Sequence, residues 1–250
     1  MADGGRPGGG RRGARRPPAA APKRPDAAGG RRRGGRQRRR AVNRVRVKIC
    51  GLREPGHATV TSRAGADYVG VVFAGRVREI TAGEAAGVVA ALEGGTRAVG
   101  VFVDAGPAEI LVKRDIAEFH VAQLAGSEPP ELCDRLRDEG LDVWKGLRPT
   151  SSDALARGWE EYREVADAIL LEGFSPHGPG GTGTAFPHEW LAGLERDGCA
   201  LALAGGLNAD NVARAIRDVR PDIVDVSSGV ERARGEKSID LILEFLAAAK

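Results

Sequence analysis

An α/β chain closing into a (β/α)8 barrel of the TIM type is expected for residues 44–250, behind a disordered basic tail over residues 1–43. Three observations lead there. Short apolar runs alternate with helix-period stretches from Val45 to the end of the chain. Eight such units fill the body at about 26 residues each, near the short end of what a closed barrel uses. Several runs are apolar on consecutive positions, as in Val69-Gly70-Val71-Val72-Phe73, which suits a parallel sheet covered on both faces. An open doubly wound sheet fits less well. No G-x-G-x-x-G follows the first run, and such a sheet gives no reason to stop at eight equal units.

The net charge of +4 hides two opposite populations. Residues 1–40 hold 14 Lys and Arg against 2 Asp and Glu, a net +12, while the remaining 210 carry 24 against 32, a net −8. That first segment has no Val, Ile, Leu, Phe, Tyr or Trp, so it cannot bury enough apolar surface to offset its ordering entropy. Its runs Arg31-Arg32-Arg33 and Arg38-Arg39-Arg40 suit weak, salt-sensitive contact with nucleic acid or another anionic surface; the alternative is an appendage with no binding role. No run of 18 apolar residues is present to span a membrane, and the Arg-rich start lacks the apolar core of a secretory signal. Cys50, Cys133 and Cys199 match neither a disulfide framework nor a zinc site, which points to a reducing cytoplasm. His57, His120, His177 and His188 show no metal spacing.

Strands are expected at Val45–Ile49, Tyr68–Phe73, Arg97–Val103, Phe119–Leu124, Asp142–Leu147, Ala168–Leu171, Ala200–Leu203 and Ile223–Val226. Helices are expected near Glu54–Ala64, Ala82–Leu92, Ala108–Ile116, Pro130–Glu139, Ser152–Val165, His188–Arg196, Asn208–Asp218 and Ser238–Ala249. Thr81 with Glu84 reads as a capping box, Asn208 as a helix cap, and Pro107 suits a first helical turn.

In parallel α/β folds ligands bind where the strands end, because the strand-to-helix loops emerge there. Val45-Arg46-Val47-Lys48-Ile49-Cys50-Gly51 leaves a thiol at such an end, and Cys50 is read as a catalytic base rather than a small buried hydrophobe. Glu172 stands at the end of the sixth run, beneath a glycine-rich loop whose Gly181, Thr182 and Gly183 read as a ligand clamp. A carboxyl shielded in this way suits a general acid. The seventh and eighth runs end in Ala204-Gly205-Gly206-Leu207 and Asp225-Val226-Ser227-Ser228-Gly229. Bare backbone N–H groups at Gly205, Gly206, Ser228 and Gly229 are expected to bind phosphate, where barrels commonly do so. Arg78 can grip a carboxylate with two parallel hydrogen bonds, or else pair with Glu79 at a helix start. Asp225 can hold an amino or hydroxyl group, or accept N–H bonds at its turn.

The motifs Lys48-Ile49-Cys50-Gly51-Leu52, Arg78-x-Ile80-Thr81, Gln123-Leu124-x-Gly126, Gly180-Gly181-Thr182-Gly183 with Phe186, Gly205-Gly206-Leu207 with Asn211-Val212, and Asp225-Val226-Ser227-Ser228-Gly229-Val230-Glu231 with Gly235 and Lys237 follow one another in order. In that order the body resembles phosphoribosylanthranilate isomerase of tryptophan biosynthesis. The resemblance implies an Amadori rearrangement of N-(5-phosphoribosyl)anthranilate with no metal or organic cofactor, in a cytoplasmic monomer or homodimer. It assigns the base to Cys50, the acid to Glu172, the anthranilate carboxylate to Arg78, and a place beside the substrate to Asp225. Three positions depart from the family pattern. Glu172 replaces an Asp, Ala125 replaces a His, and no Ser-Pro precedes Arg78. Two other readings compete: a barrel of the indole-glycerol-phosphate synthase kind using Lys48, and a nucleic-acid-binding protein with the barrel as scaffold.

Overall fold

Eight parallel strands close into a ring in chain order in the computed structural model: β1 (Arg46–Cys50), β2 (Tyr68–Val72), β3 (Arg97–Phe102), β4 (Val121–Leu124), β5 (Asp142–Leu147), β6 (Ala168–Glu172), β7 (Ala200–Ala204) and β8 (Ile223–Val226). The ring seals where β8 pairs with β1, setting Lys48 opposite Asp225. The structure describes residues 44–173, 188–191, 193–196 and 198–250. The expected tail over 1–43, His177, the clamp residues Gly181, Thr182 and Gly183, and Phe186 lie outside the described residues.

The period of two sorts each strand into an outer and an inner face. Val47, Ile49, Val69, Val71, Ile169, Leu171, Leu201 and Leu203 point outward and bury against the helices in the main core. Those helices are α1 (Pro55–Arg63), α2 (Ala82–Ala90), α3 (Pro107–Ala117), α4 (Pro130–Asp138), α5 (Ser152–Tyr162), α6 (Val212–Val219) and α7 (Ile239–Ala248). The alternate residues Tyr68, Val99, Val121, Trp144, Ala168, Leu170, Ala202 and Ile223 fill the barrel interior with Cys50. Tyr68 meets Trp144 edge-on at 4.8 Å, and Arg46 donates to the Tyr68 hydroxyl at 2.7 Å. The barrel interior is therefore a packed core, not a pore.

Local signals explain most boundaries. Thr81 accepts from the Glu84 N–H while the Glu84 carboxylate accepts from the Thr81 N–H, the reciprocal cap expected there. Two elements differ from expectation. The helical stretch at 188–196 reduces to a 3-10 turn at His188–Leu191, followed by Gly193 at φ 86°, a left-handed geometry that ends helical winding. Asn208 caps the turn that leads into α6, not its first regular residue: its side chain accepts from the N–H groups of Asp210 (3.0 Å) and Asn211 (3.1 Å) and its carbonyl from Val212 N–H (3.1 Å), while α6 itself starts at Val212.

Beneath the loop after β4, Lys145 of β5 and Glu128 form a buried ion pair at 2.6 Å. Glu128 also accepts from the N–H groups of Asp104 and Gly126, so one carboxylate ties together the loops following β3 and β4. Removing one partner of a buried pair strands the other charge. Lys145→Met should therefore lower stability by about 3–5 kcal/mol, read as a fall in the urea midpoint. Thr81→Ala, which loses only a cap, should cost about 1 kcal/mol.

Candidate active site

The inward-facing parity that carries Leu170 and Ile223 also carries Glu172 and Asp225, two residues further along β6 and β8. Lys48 and Cys50 share the inner face of β1. A thiol, an ammonium and two carboxylates thus converge on the barrel axis at its carboxyl end. Lys48 is fully buried and donates to Asp225 Oδ1 at 3.0 Å across the closing seam. Burial alone would lower the Lys48 pKa, but Asp225 and Cys50 outweigh it and hold the ammonium above the usual lysine value. Burial pushes Asp225 up, with Lys48 opposing the rise and Glu172 adding to it, so the Glu172 charge is felt at the seam.

Burial also pushes the Cys50 thiol above its ordinary value, with Lys48 as the main opposing influence. Cys50 is 8% exposed, whereas Cys133 and Cys199 lie in the helix-facing core with thiols raised by burial to about 11 and about 12. Gly70, opposite Cys50 on β2, makes room for the thiol: a Cβ there would stand 2.8 Å from Cys50 Sγ and 3.2 Å from Lys48 Cε. Gln123, two residues on from Val121, is buried in β4, and its Oε1 has no hydrogen-bond partner among the described residues.

Arg78 lies over the turn that follows Cys50, its Cδ only 2.8 Å from where a Gly51 Cβ would sit. Its partner is Glu231, not Glu79. Glu172, with 22% of its side chain exposed, accepts from Arg148 Nε at 2.7 Å. Arg148 also donates to the carbonyl of Ala125 at 3.2 Å. The last two turns meet directly. A Gly229 Cβ would collide with the Leu207 carbonyl oxygen, and Gly205 (φ 93°) and Gly206 (φ 67°) take left-handed geometry. Asn211 braces that turn, donating to the Gly206 carbonyl at 2.9 Å and accepting from the Asn208 N–H at 2.9 Å. The N–H groups of Gly206, Ser228 and Gly229 find no loop or turn acceptor among the described residues. These half-buried backbone donors are therefore open to water or a ligand.

Sequence reasoning left Lys48 as merely available, and passed over Gly70, Arg148 and the roles of Glu231 and Lys237. The signal for Lys48 was a charge at an inward position two residues before Cys50. Among the described residues no group of three or more His, Cys, Asp or Glu is placed to hold a metal.

A closed eight-stranded barrel with acid–base groups on the inner faces of its strand ends defines a (β/α)8-barrel enzyme. Residues 47–248 match the family model for N-(5'-phosphoribosyl)anthranilate (PRA) isomerase, and the chain belongs to that family. It is 41% identical over 207 residues to the N-(5'-phosphoribosyl)anthranilate isomerase of Rubrobacter xylanophilus, covering 82% of this chain and 98% of that one. The phosphoribosyl anthranilate isomerase structure from Thermotoga maritima superposes with a TM-score of 0.75 at 37% identity, covering 82% and 98% of the two chains. A further isomerase structure, solved with reduced 1-(o-carboxyphenylamino)-1-deoxyribulose 5-phosphate, gives a TM-score of 0.68 at 34% identity over 82% and 98%.

Two outcomes follow from the thiol's surroundings. Gly70→Ala should displace Cys50 Sγ and lower kcat by about 10²-fold with only about 1–3 kcal/mol lost in stability, measured by steady-state kinetics and thermal unfolding. A thiol held above its ordinary value reacts faster as pH rises. Iodoacetamide inactivation should therefore climb through pH 9 without a plateau, and more slowly in Lys48→Met.

Proposed function

We propose that this chain, a member of an aldose–ketose isomerase family of tryptophan biosynthesis, converts N-(5-phosphoribosyl)anthranilate to 1-(2-carboxyphenylamino)-1-deoxyribulose 5-phosphate with Cys50 as base and Glu172 as acid. The observation that carries this reading is that both groups lie on inner strand faces at one end of the barrel, Cys50 on the same strand as Lys48 of the Lys48–Asp225 pair. The substrate phosphate docks on the backbone N–H groups of Gly205, Gly206, Ser228 and Gly229, and the anthranilate carboxylate on Arg78. Gly181, Thr182 and Gly183 remain the proposed clamp.

Glu172 delivers a proton to the furanose ring oxygen, the bond from C1 to that oxygen breaks, and the nitrogen lone pair closes a C1–N iminium. Cys50, as thiolate, then removes the C2 proton. The electrons of that C–H bond form the C1–C2 double bond, and the resulting enolamine tautomerises to the aminoketose. Three charges favour the thiolate at that moment: Lys48, Lys237 and the iminium itself. Asp225 neutralises Lys48, so the seam alone does not leave a surplus charge. The synthase alternative needs a lysine free to engage substrate, whereas Lys48 is fully buried and committed to Asp225. No helix among the described residues is long and apolar enough to cross a membrane, and a cytoplasmic enzyme is the proposal. Weak nucleic-acid contact by the tail and a monomeric or homodimeric state remain proposals from sequence.

Cys50→Ser should nearly abolish turnover while leaving ligand affinity within a few-fold; normal turnover would remove Cys50 from the base role. Glu172→Gln should lose at least about 10²-fold in kcat. Glu172→Asp should match or exceed the parent enzyme. Residues 41–250 should restore growth to a tryptophan auxotroph lacking the isomerase, and failure of the full chain to do so would refute the assignment.

A further inference from the structure

Arg78 is oriented by a segment 153 residues away in sequence. Its Nε and Nη2 donate to Glu231 Oε1 and Oε2 at 2.7 and 2.8 Å, a fork-to-fork pair that fixes the guanidinium plane. Glu231 opens β9 (Glu231–Ala233), which pairs antiparallel with β10 (Glu236–Lys237) in a short hairpin after β8. Its side chain is 3% exposed and also accepts from the Gly235 N–H at 3.0 Å and from Lys237 Nζ at 2.8 Å. Lys237 in turn donates to the Ser227 carbonyl at 2.8 Å and hydroxyl oxygen at 3.2 Å, and Ser227 Oγ donates to the Cys50 carbonyl at 3.1 Å.

The hairpin lies flush against the loop that bears Arg78. A Cβ on Gly235 would stand 2.5 Å from Val77 Cγ1, and Arg53 Nη2 donates to the Gly235 carbonyl at 3.0 Å. Burial alone would raise the Glu231 carboxyl, but Arg78, the Gly235 N–H and Lys237 hold it down at about 2. The cluster is thus two cations around one carboxylate, with a surplus positive charge. Arg78 Nη1 makes no hydrogen bond among the described residues.

We propose that the β9–β10 hairpin is the positioning element for the substrate carboxylate. Glu231 locks Arg78 so that its remaining N–H groups are presented in one geometry, and Lys237 anchors that lock to the turn of Cys50. Glu231 and Lys237 are positioning residues that act through Arg78 without touching substrate. This rests on Arg78 as the carboxylate site, and it accounts for how Arg78 is held where the family's Ser-Pro is missing.

The test compares two ligands by calorimetry: reduced 1-(o-carboxyphenylamino)-1-deoxyribulose 5-phosphate and its phenylamino counterpart without the carboxylate. The ratio of their Kd values isolates what the carboxylate contributes. It should be about 10–10² in the unmodified enzyme, as for a charge-assisted hydrogen-bonded pair. Arg78→Ala should collapse it to about 1. Glu231→Gln should cut the ratio by about tenfold while the phenylamino ligand binds within about twofold, and Glu231→Asp should fall between. Should Arg78→Ala leave the ratio intact, the carboxylate assignment fails and takes this inference with it. If Arg78→Ala collapses the ratio but both Glu231 variants keep it, the hairpin does not position Arg78 although the carboxylate site stands. Equal weakening of both ligands in both Glu231 variants would make the role purely structural and overturn the proposal.

Discussion

One ion pair crosses the seam where the barrel closes. Lys48 and Asp225 are register partners on β1 and β8, the first and last strands of the ring, and their contact lies in the barrel interior. A pair so deeply buried gains little net stability, since the desolvation of both ions consumes most of their mutual attraction, and apolar residues of similar volume would hold a barrel shut as well. Its value is chemical. The ammonium that Asp225 holds charged stands two residues from Cys50 on the same strand face, where it opposes the rise that burial imposes on the thiol. Closure of the sheet and the electrostatic surroundings of the Cys50 thiol are therefore one arrangement.

Much of this was legible in the chain because barrel strands obey a simple rule. Consecutive apolar residues such as Val69-Gly70-Val71-Val72 announce burial on both faces, and the observed β2 at Tyr68–Val72 follows that run to within a residue. Position at a strand end then selected Cys50, Glu172 and Asp225, because parity and loop direction decide what reaches the mouth. What sequence did not disclose were pairings over long separations. Nothing local to Arg78 points to Glu231, and pairing with Glu79 was the natural local choice. Gly70 was read as part of an apolar run, although its role lies in the side chain it lacks beside Cys50. Asn208 was legible in kind but not in register: its short side chain takes the N–H groups two and three residues on, and sequence alone does not say how soon regular helix follows that turn.

The departures from the family pattern meet in space. Glu172 is longer than the usual Asp, Ala125 lacks the usual imidazole, and Arg148 touches both positions, donating to the Glu172 carboxylate and to the Ala125 carbonyl. The Glu172 carboxylate meets the guanidinium at 2.7 Å, and the Ala125 carbonyl accepts from a second Arg148 nitrogen at 3.2 Å. Glu172 and the backbone at Ala125 are therefore linked through a third residue, and moving the carboxylate away would leave Arg148 with the Ala125 carbonyl alone.

The same logic separates the two arginines at the mouth. Arg148 is half exposed and holds a carboxylate that is itself solvent-accessible, a pairing of modest strength that exchange with water can loosen. Arg78 is held by a carboxylate that is almost fully buried and receives further hydrogen bonds from Gly235 and Lys237. Releasing Arg78 would take two charge-assisted hydrogen bonds from that buried carboxylate, a loss that favours the present geometry. A rigid guanidinium suits recognition of a group that does not change during the reaction, as the anthranilate carboxylate does not. A looser partner suits Glu172, whose carboxyl, in the proposed role of acid, gives up and regains a proton in each turnover.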